Sequence, residues 1–179
     1  MTRFLLLRVL IATLACLGAS VRAQTPVASV PGLDLARYAG KWYEIASFPM
    51  FFQRQCIGDT TAEYGLTPEG DVSVTNRCRT DGGFDEATGK ATVVEGGGNA
   101  RLKVSFFWPF RSDYWVVGLD ADYRWAVVGN PNRKYLWILS RTPQLAKNEL
   151  DAALKAAAAQ DFDLTQLRYT VHGPAVKRP

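Results

Sequence analysis

The sequence predicts an all-β fold: an eight-stranded up-and-down antiparallel barrel, with one C-terminal helix packed on its outside and a short final strand. Three observations carry this. Apolar and polar residues alternate with period two in eight short runs. Turn-length segments rich in Gly, Pro, Asn and Asp separate the runs, and none is long enough to suggest a Greek-key crossover. One segment near the C-terminus switches to helical spacing. A meander has two free edges unless it closes, and a barrel removes them. A sandwich is the alternative architecture.

Residues 41–48 form the first run, with Trp42, Glu44, Ala46 and Phe48 on one side, and Pro49 ends it. Residues 60–66 alternate Ala62, Tyr64 and Leu66 against polar neighbours. A turn at 67–71 leads into a run with Val72, Val74, Asn76 and Cys78 on one face, which makes a hairpin. Residues 90–95 are a short strand stopped by Gly96-Gly97-Gly98. Residues 100–107 set Leu102, Val104 and Phe106 against Arg101, Lys103 and Ser105. After the aromatic turn Trp108-Pro109-Phe110, residues 114–119, 123–128 and 135–141 complete the set. Thr142 then reads as a helix N-cap with Pro143 at the first helical position. Ala146, Leu150, Ala153, Leu154 and Ala157 follow at helical spacing, and alanines 156–159 favour helix. Residues 167–171 read as the last strand.

The chain has 179 residues with a formal charge of +4, three cysteines and one histidine. Much of that charge belongs to residues 1–23, which read as an export signal: Arg3 and Arg8, then an apolar run at 9–18, then Val21-Arg22-Ala23 before a cut. Without them 18 basic residues face 17 acidic ones, a net charge of +1. The expected organisation is a signal peptide at 1–23, a tail at 24–33, a domain at 34–172 and a tail at 173–179. Acylation at Cys16 is the alternative processing, but Thr13-Leu14-Ala15 is a poor lipobox. Export to an oxidising compartment favours pairing of the remaining Cys56 and Cys78, and it argues against a nucleic-acid partner.

An eight-stranded barrel either fills itself with side chains or holds one small ligand. The inward faces collect small Ala46, Ala62, Val74, Val104 and Val116 together with Tyr64, Phe106, Tyr114, Tyr135 and Trp137, the lining of an apolar cavity. Glu44 and Asn76 face inward by parity, either to anchor a polar head group or to be satisfied by hydroxyls and water. Phe48, Met50, Phe51 and Phe52, with Trp108 and Phe110, are expected to rim the mouth; contact with a membrane surface is the other reading of the loop aromatics.

These residues carry a resemblance. Gly40-Lys41-Trp42-Tyr43-Glu44 resembles the lipocalin signature G-x-W-Y-E. Asp122-Tyr123 resembles the second signature, at the turn between strands six and seven. Residues 136–143, ending Ser140-Arg141-Thr142-Pro143, resemble the third. The similarity runs from about residue 33 to 171, and residues 103–107 and 137–141 look especially like the bacterial lipocalin branch related to apolipoprotein D. The resemblance implies that Arg141 closes a blind end by stacking on Trp42, so that Gly40, Trp42, Asp122, Tyr123 and Arg141 are structural. It implies fatty acids, phospholipids or lysophospholipids as ligands, no cofactor, and a place in the periplasm or at the outer membrane, with secretion as the alternative. The Cys56–Cys78 pair departs from the bacterial branch; antiparallel pairing would bring the two ends together and pin the mouth loop.

An enzyme acting on a lipid-like substrate is the rival function. The only histidine, His172, reads as a solvated terminal side chain; no G-x-S-x-G occurs, so no catalytic residue is assigned. One histidine excludes a multi-histidine metal site. Monomer and homodimer both remain open.

Overall fold

Closure of the sheet on itself is the organising event, and it runs through the first strand. The computed structural model describes residues 24–173; the segment 1–23 with Cys16, and residues 174–179, lie outside the described residues. The strands are β1 Gly40–Ser47, β2 Gly58–Leu66, β3 Val72–Thr80, β4 Gly83–Val93, β5 Arg101–Phe107, β6 Phe110–Leu119, β7 Trp125–Gly129, β8 Leu136–Ser140 and β9 Arg168–Tyr169. The helices are α1 Leu35–Tyr38 and α2 Lys147–Ala158, with 3₁₀ turns at Phe51–Gln53 and Leu164–Gln166. Each strand from β2 to β8 pairs antiparallel with the next, and β1 pairs with both β8 and β2, closing the barrel.

Two apolar clusters lie on opposite faces of this wall. The inner one includes Trp42, Ala62, Tyr64, Val74, Leu102, Val116 and Val128. The outer one packs Ile45, Val117, Val127 and Ile138 against Ala153 and Ala157 of α2 and against Phe162. The helix approaches closely at Gly118, where an added Cβ would sit 2.8 Å from that of Ala156. A small residue is required there by contact rather than by conformation.

A β-bulge between Glu44 and Ala46 shifts the β1–β8 register. One extra residue reverses the alternation beyond it. Ala46 and Phe48 therefore join the outer cluster, Phe48 stacking edge-on against Phe162 at 6.3 Å, instead of lining the interior as strict parity predicts.

Other differences from the sequence reading have local causes. Strand β4 begins at Gly83 rather than at residue 90, because residues 83–89 pair with β3 alone and only 90–93 pair with β5. Exposed through most of that stretch, β4 shows no hydrophobic alternation there. Helix α2 begins at Lys147 after Ala146, not at Pro143. The Thr142 hydroxyl donates to the Gln144 carbonyl at 2.6 Å and so shapes a turn instead of capping a helix. Asp34 caps the single turn α1, accepting from Ala36 and Arg37 N–H groups. Residues 24–33 pack along the barrel: Val27 and Leu33 are buried, and Val30 N–H donates to the Val116 carbonyl.

The C-terminal segment is a strap in the seam between β1 and β2. Tyr169 and Arg168 pair with Ala46 and Ser47. Thr170 N–H donates to the Ile45 carbonyl, and Asp59 N–H to that of Val171. His172 is therefore not solvated: its side chain is buried, Nε2 lies 2.7 Å from the Glu44 carbonyl oxygen to which it donates, and its ring meets Tyr43 edge-on.

Cys56 and Cys78 form a disulfide with a Cα–Cα distance of 5.5 Å, tying the mouth loop before β2 to strand β3. Cross-linking across a sequence separation of 22 removes about 3 kcal/mol of unfolded-state entropy. The paired Cys56→Ser, Cys78→Ser variant is expected to lose stability of that order in urea denaturation, and reductant should bring the wild type to the same midpoint. An unchanged midpoint in both would contradict this contribution.

Candidate functional site

The barrel has one sealed end and one open end. At the sealed end the Arg141 guanidinium carbon lies 3.9 Å from the centre of the Trp42 ring. Its nitrogens donate to the carbonyls of Arg37 at 2.6 Å, Lys41 at 3.0 Å and Tyr123 at 3.4 Å. The Trp42 indole N–H donates to the Tyr38 carbonyl at 2.8 Å. Gly40 has a φ of +88°, so its conformation favours glycine, while a Cβ there would make only an ordinary 3.6 Å contact with an Arg141 nitrogen. Tyr123 accepts from the Asp34 N–H through its hydroxyl, while Arg37 stacks on its ring at 4.1 Å. Asp122 is exposed, and the turn is held by Asp120, whose carboxylate accepts from the N–H groups of Asp122 and Arg124 and from the Arg124 side chain.

Above this plug three phenols meet. Tyr38 and Tyr114 hydroxyls are 2.7 Å apart, and Tyr114 donates to Tyr64 at 2.8 Å. Since Tyr114 spends its hydrogen on Tyr64, Tyr38 is the donor to Tyr114. Burial keeps all three protonated, with Tyr64 pushed up to about 12. Around them Leu35, Val72, Val74, Ala91 and Leu102 enclose a cavity of about 20 Å³, room for a water-sized group.

Toward the open end the interior carries Glu44, buried and two residues on from Trp42. Thr170 of the strap donates its hydroxyl to one carboxyl oxygen at 2.5 Å, and the Gln53 amide of the mouth loop donates to the other at 3.1 Å. Desolvation holds this carboxyl above its usual range, and the bonds from Thr170 and Gln53 pull it part of the way back. The Gln53 amide oxygen is buried with no partner among the described residues. Beside them Trp137, Tyr135 and Phe52 form an aromatic run, with ring centres 6.0 and 5.7 Å apart, continued by Phe51. Met50 is buried at the start of the loop.

The structure thus gathers Ala62, Tyr64, Val74, Val104, Phe106, Tyr114, Val116 and Trp137 on or against the inner cluster. Asn76 sits opposite Ala62 in the ladder, on the Val74 face. Ala46 and Phe48 belong to the helix side. Trp108 and Phe110 stand out in solvent, 85% and 77% exposed. Sequence reasoning missed Tyr38, Gln53 and Thr170. Tyr38 lies in a helix too short to show a period, and the other two become neighbours of Glu44 only through the loop and the strap.

Residues 33–172 match the family model described as a lipocalin-like domain. The chain belongs to the lipocalin family. This lipocalin is 41% identical over 146 residues to the outer membrane lipoprotein Blc of Vibrio cholerae, covering 80% of this chain and 85% of that protein. It is 39% identical over 150 residues to temperature-induced lipocalin-1 of Arabidopsis thaliana, covering 79% and 80%. With apolipoprotein D of Macaca fascicularis it shares 32% identity over 146 residues, 76% of each protein. Insecticyanin of the tobacco hornworm Manduca sexta has the same fold, with a TM-score of 0.70 at 22% identity over 86% of this lipocalin and 88% of that chain. Lipocalins bind small hydrophobic ligands and are in general binding and transport proteins.

Two expected outcomes follow from this geometry. Arg141→Lys keeps the charge but loses the planar stack, so stability should fall by about 0.5–2 kcal/mol while ligand affinity of the folded protein holds. Equal thermal midpoints would remove Arg141 from this role. Glu44 binds its proton more tightly folded than unfolded, so the folded state carries the extra proton above pH 4.5, and stability falls as pH rises through the window between the unfolded and folded values. Denaturation across that range should show this slope in the wild type and a flatter profile in Glu44→Gln; parallel profiles would contradict it.

Proposed function

We propose that this lipocalin carries or stores single-chain amphiphiles, fatty acids or lysophospholipids, in lipid handling at the cell envelope. The observation that carries the reading is the distribution of polarity inside the barrel. From the tyrosine cluster to the mouth the lining is apolar and aromatic, and a buried carboxyl stands near the exit beside an unpartnered amide oxygen. The first region holds a cavity of only about 20 Å³ around the tyrosines, so an acyl chain enters as its lining side chains move apart, each methylene group it buries contributing roughly 0.8 kcal/mol. A head group fits the second. There the free amide oxygen of Gln53 accepts from a hydroxyl or ammonium hydrogen of the head group, next to the Glu44 carboxyl. Asn76 supplies a further amide on the same inner face.

The similarity to a protein named as an outer membrane lipoprotein supports an envelope location. Export through residues 1–23 would deliver the barrel to the periplasm or to the outer membrane, with acylation at Cys16 as the anchored variant.

Trp137 lies against the inner cluster and reports occupancy. Titration of delipidated protein with a long-chain fatty acid, and separately with a lysophospholipid, should quench tryptophan fluorescence saturably. Trp137→Phe should remove the saturable part while leaving binding intact by native mass spectrometry. Quenching that never saturates, with no lipid retained in the mass spectrum, would refute the proposal. Lipid recovered chemically altered after long incubation would favour an enzyme instead.

A further inference from the structure

A second feature opens through the barrel wall, where its floor reaches Gly89 and Phe106, the latter packed against the inner cluster. Strands β4 and β5 pair only over residues 90–93 and 102–105, so their seam splits toward the open end. The split forms a groove of about 420 Å³ in the wall. Lys90, Lys103 and Arg111 line it, with the hydroxyls of Thr88, Thr92 and Ser105 between them. Lys90 pairs with Asp71, and Lys103 with Asp113 at 2.6 Å, while Arg111 has no acidic partner among the described residues. Three cations and two carboxylates leave the groove positive.

Directly above the groove, the β5–β6 hairpin raises Phe107, Trp108 and Phe110 into solvent. Trp108 is both the most exposed of them, at 85%, and a wall of the groove itself. Contiguous exposed aromatics of this size mark a contact surface. Tryptophan and phenylalanine beside cationic and hydroxyl groups match the layering of a membrane interface, with rings at the acyl boundary and cations at the phosphates. The neighbouring β3–β4 hairpin sets Asp81, Asp85 and Glu86 against Arg77, which stacks on Phe84 at 4.0 Å, while its Arg79 is paired with Asp59. Those carboxylates would be repelled by an anionic surface, so the β5–β6 side is the one that turns toward the lipid.

We infer that the β5–β6 hairpin and the groove below it dock this lipocalin onto anionic phospholipid membranes, the rings inserting at the interface while Arg111 and the flanking lysines meet the lipid phosphates. Docking on this side also brings the open mouth near the bilayer, because the β5–β6 turn and the mouth loop share one end of the barrel.

The test is co-sedimentation of the soluble mature chain with vesicles of phosphatidylcholine alone and of phosphatidylcholine mixed with phosphatidylglycerol. Binding should favour the mixed vesicles and weaken with added salt. Trp108→Ala with Phe110→Ala should abolish it. Arg111→Gln with Lys103→Gln should weaken it by about fivefold per charge removed. Both variants should keep the wild-type saturable fatty-acid quenching, which shows them folded and separates this inference from the reading of the barrel interior. Where that interior signal is absent in the wild type, circular dichroism spectra matching the wild type serve as the folding control. Equal binding to both vesicle types, or full binding by both variants, would overturn the assignment. So would loss of a protein dimer on the hairpin substitutions with vesicles unbound throughout, since the partner would then be a second copy of the chain.

Discussion

The strand β1 has three partners, and the rest of the molecule depends on that. Its first half pairs with β2, its second half, from Tyr43 to Ser47, with β8, and its last residues with β9. Without β1 the sheet is an open meander with two long edges. The bulge between Glu44 and Ala46 lets one strand serve two surfaces. Before it, Trp42 and Glu44 look inward; after it, Ala46 and Phe48 look toward the helix. A straight strand would have kept either the carboxyl or the helix contact on its proper face, not both.

The two ends of the barrel are held by different chemistry. The sealed end uses a stacked guanidinium and three carbonyls, a contact with charge, dispersion and hydrogen bonds converging on one side chain. The open end uses a loop held by a disulfide and by one amide–carboxyl bond. Removing the first leaves backbone carbonyls unsatisfied, which is costly. Yielding at the second exchanges one polar contact for another. The buried polar groups between them are hydrogen-bonded to each other, with the Gln53 oxygen as the exception.

The legibility of this structure in its sequence varies with the range of the forces involved. Alternation marked most strands because each buries one face, and the inner positions of β2, β3, β5 and β6 followed from it. It failed where both faces are wet, as in β4 before Lys90, and where a bulge resets it, as in β1. The Trp42–Arg141 contact was legible only through resemblance, since 99 positions separate the two residues and no local pattern joins them. The polar neighbours of Glu44 were invisible for the same reason. His172 was misread because proximity to the C-terminus suggested solvent, whereas the seam between β1 and β2 needs a filler, and the chain's end provides it.

That seam has a temporal meaning. Thr170 meets Glu44 across 126 positions, and β8 meets β1 across 90 to 97. The pairings from β1–β2 to β7–β8 can form as soon as their own residues are available, but the pairing of β1 with β8 and β9 must wait for the last part of the domain to be synthesised. Contacts this distant in sequence are slow to form. Ring closure is therefore the final act of folding, and until it occurs the second half of β1 lacks its partner strand.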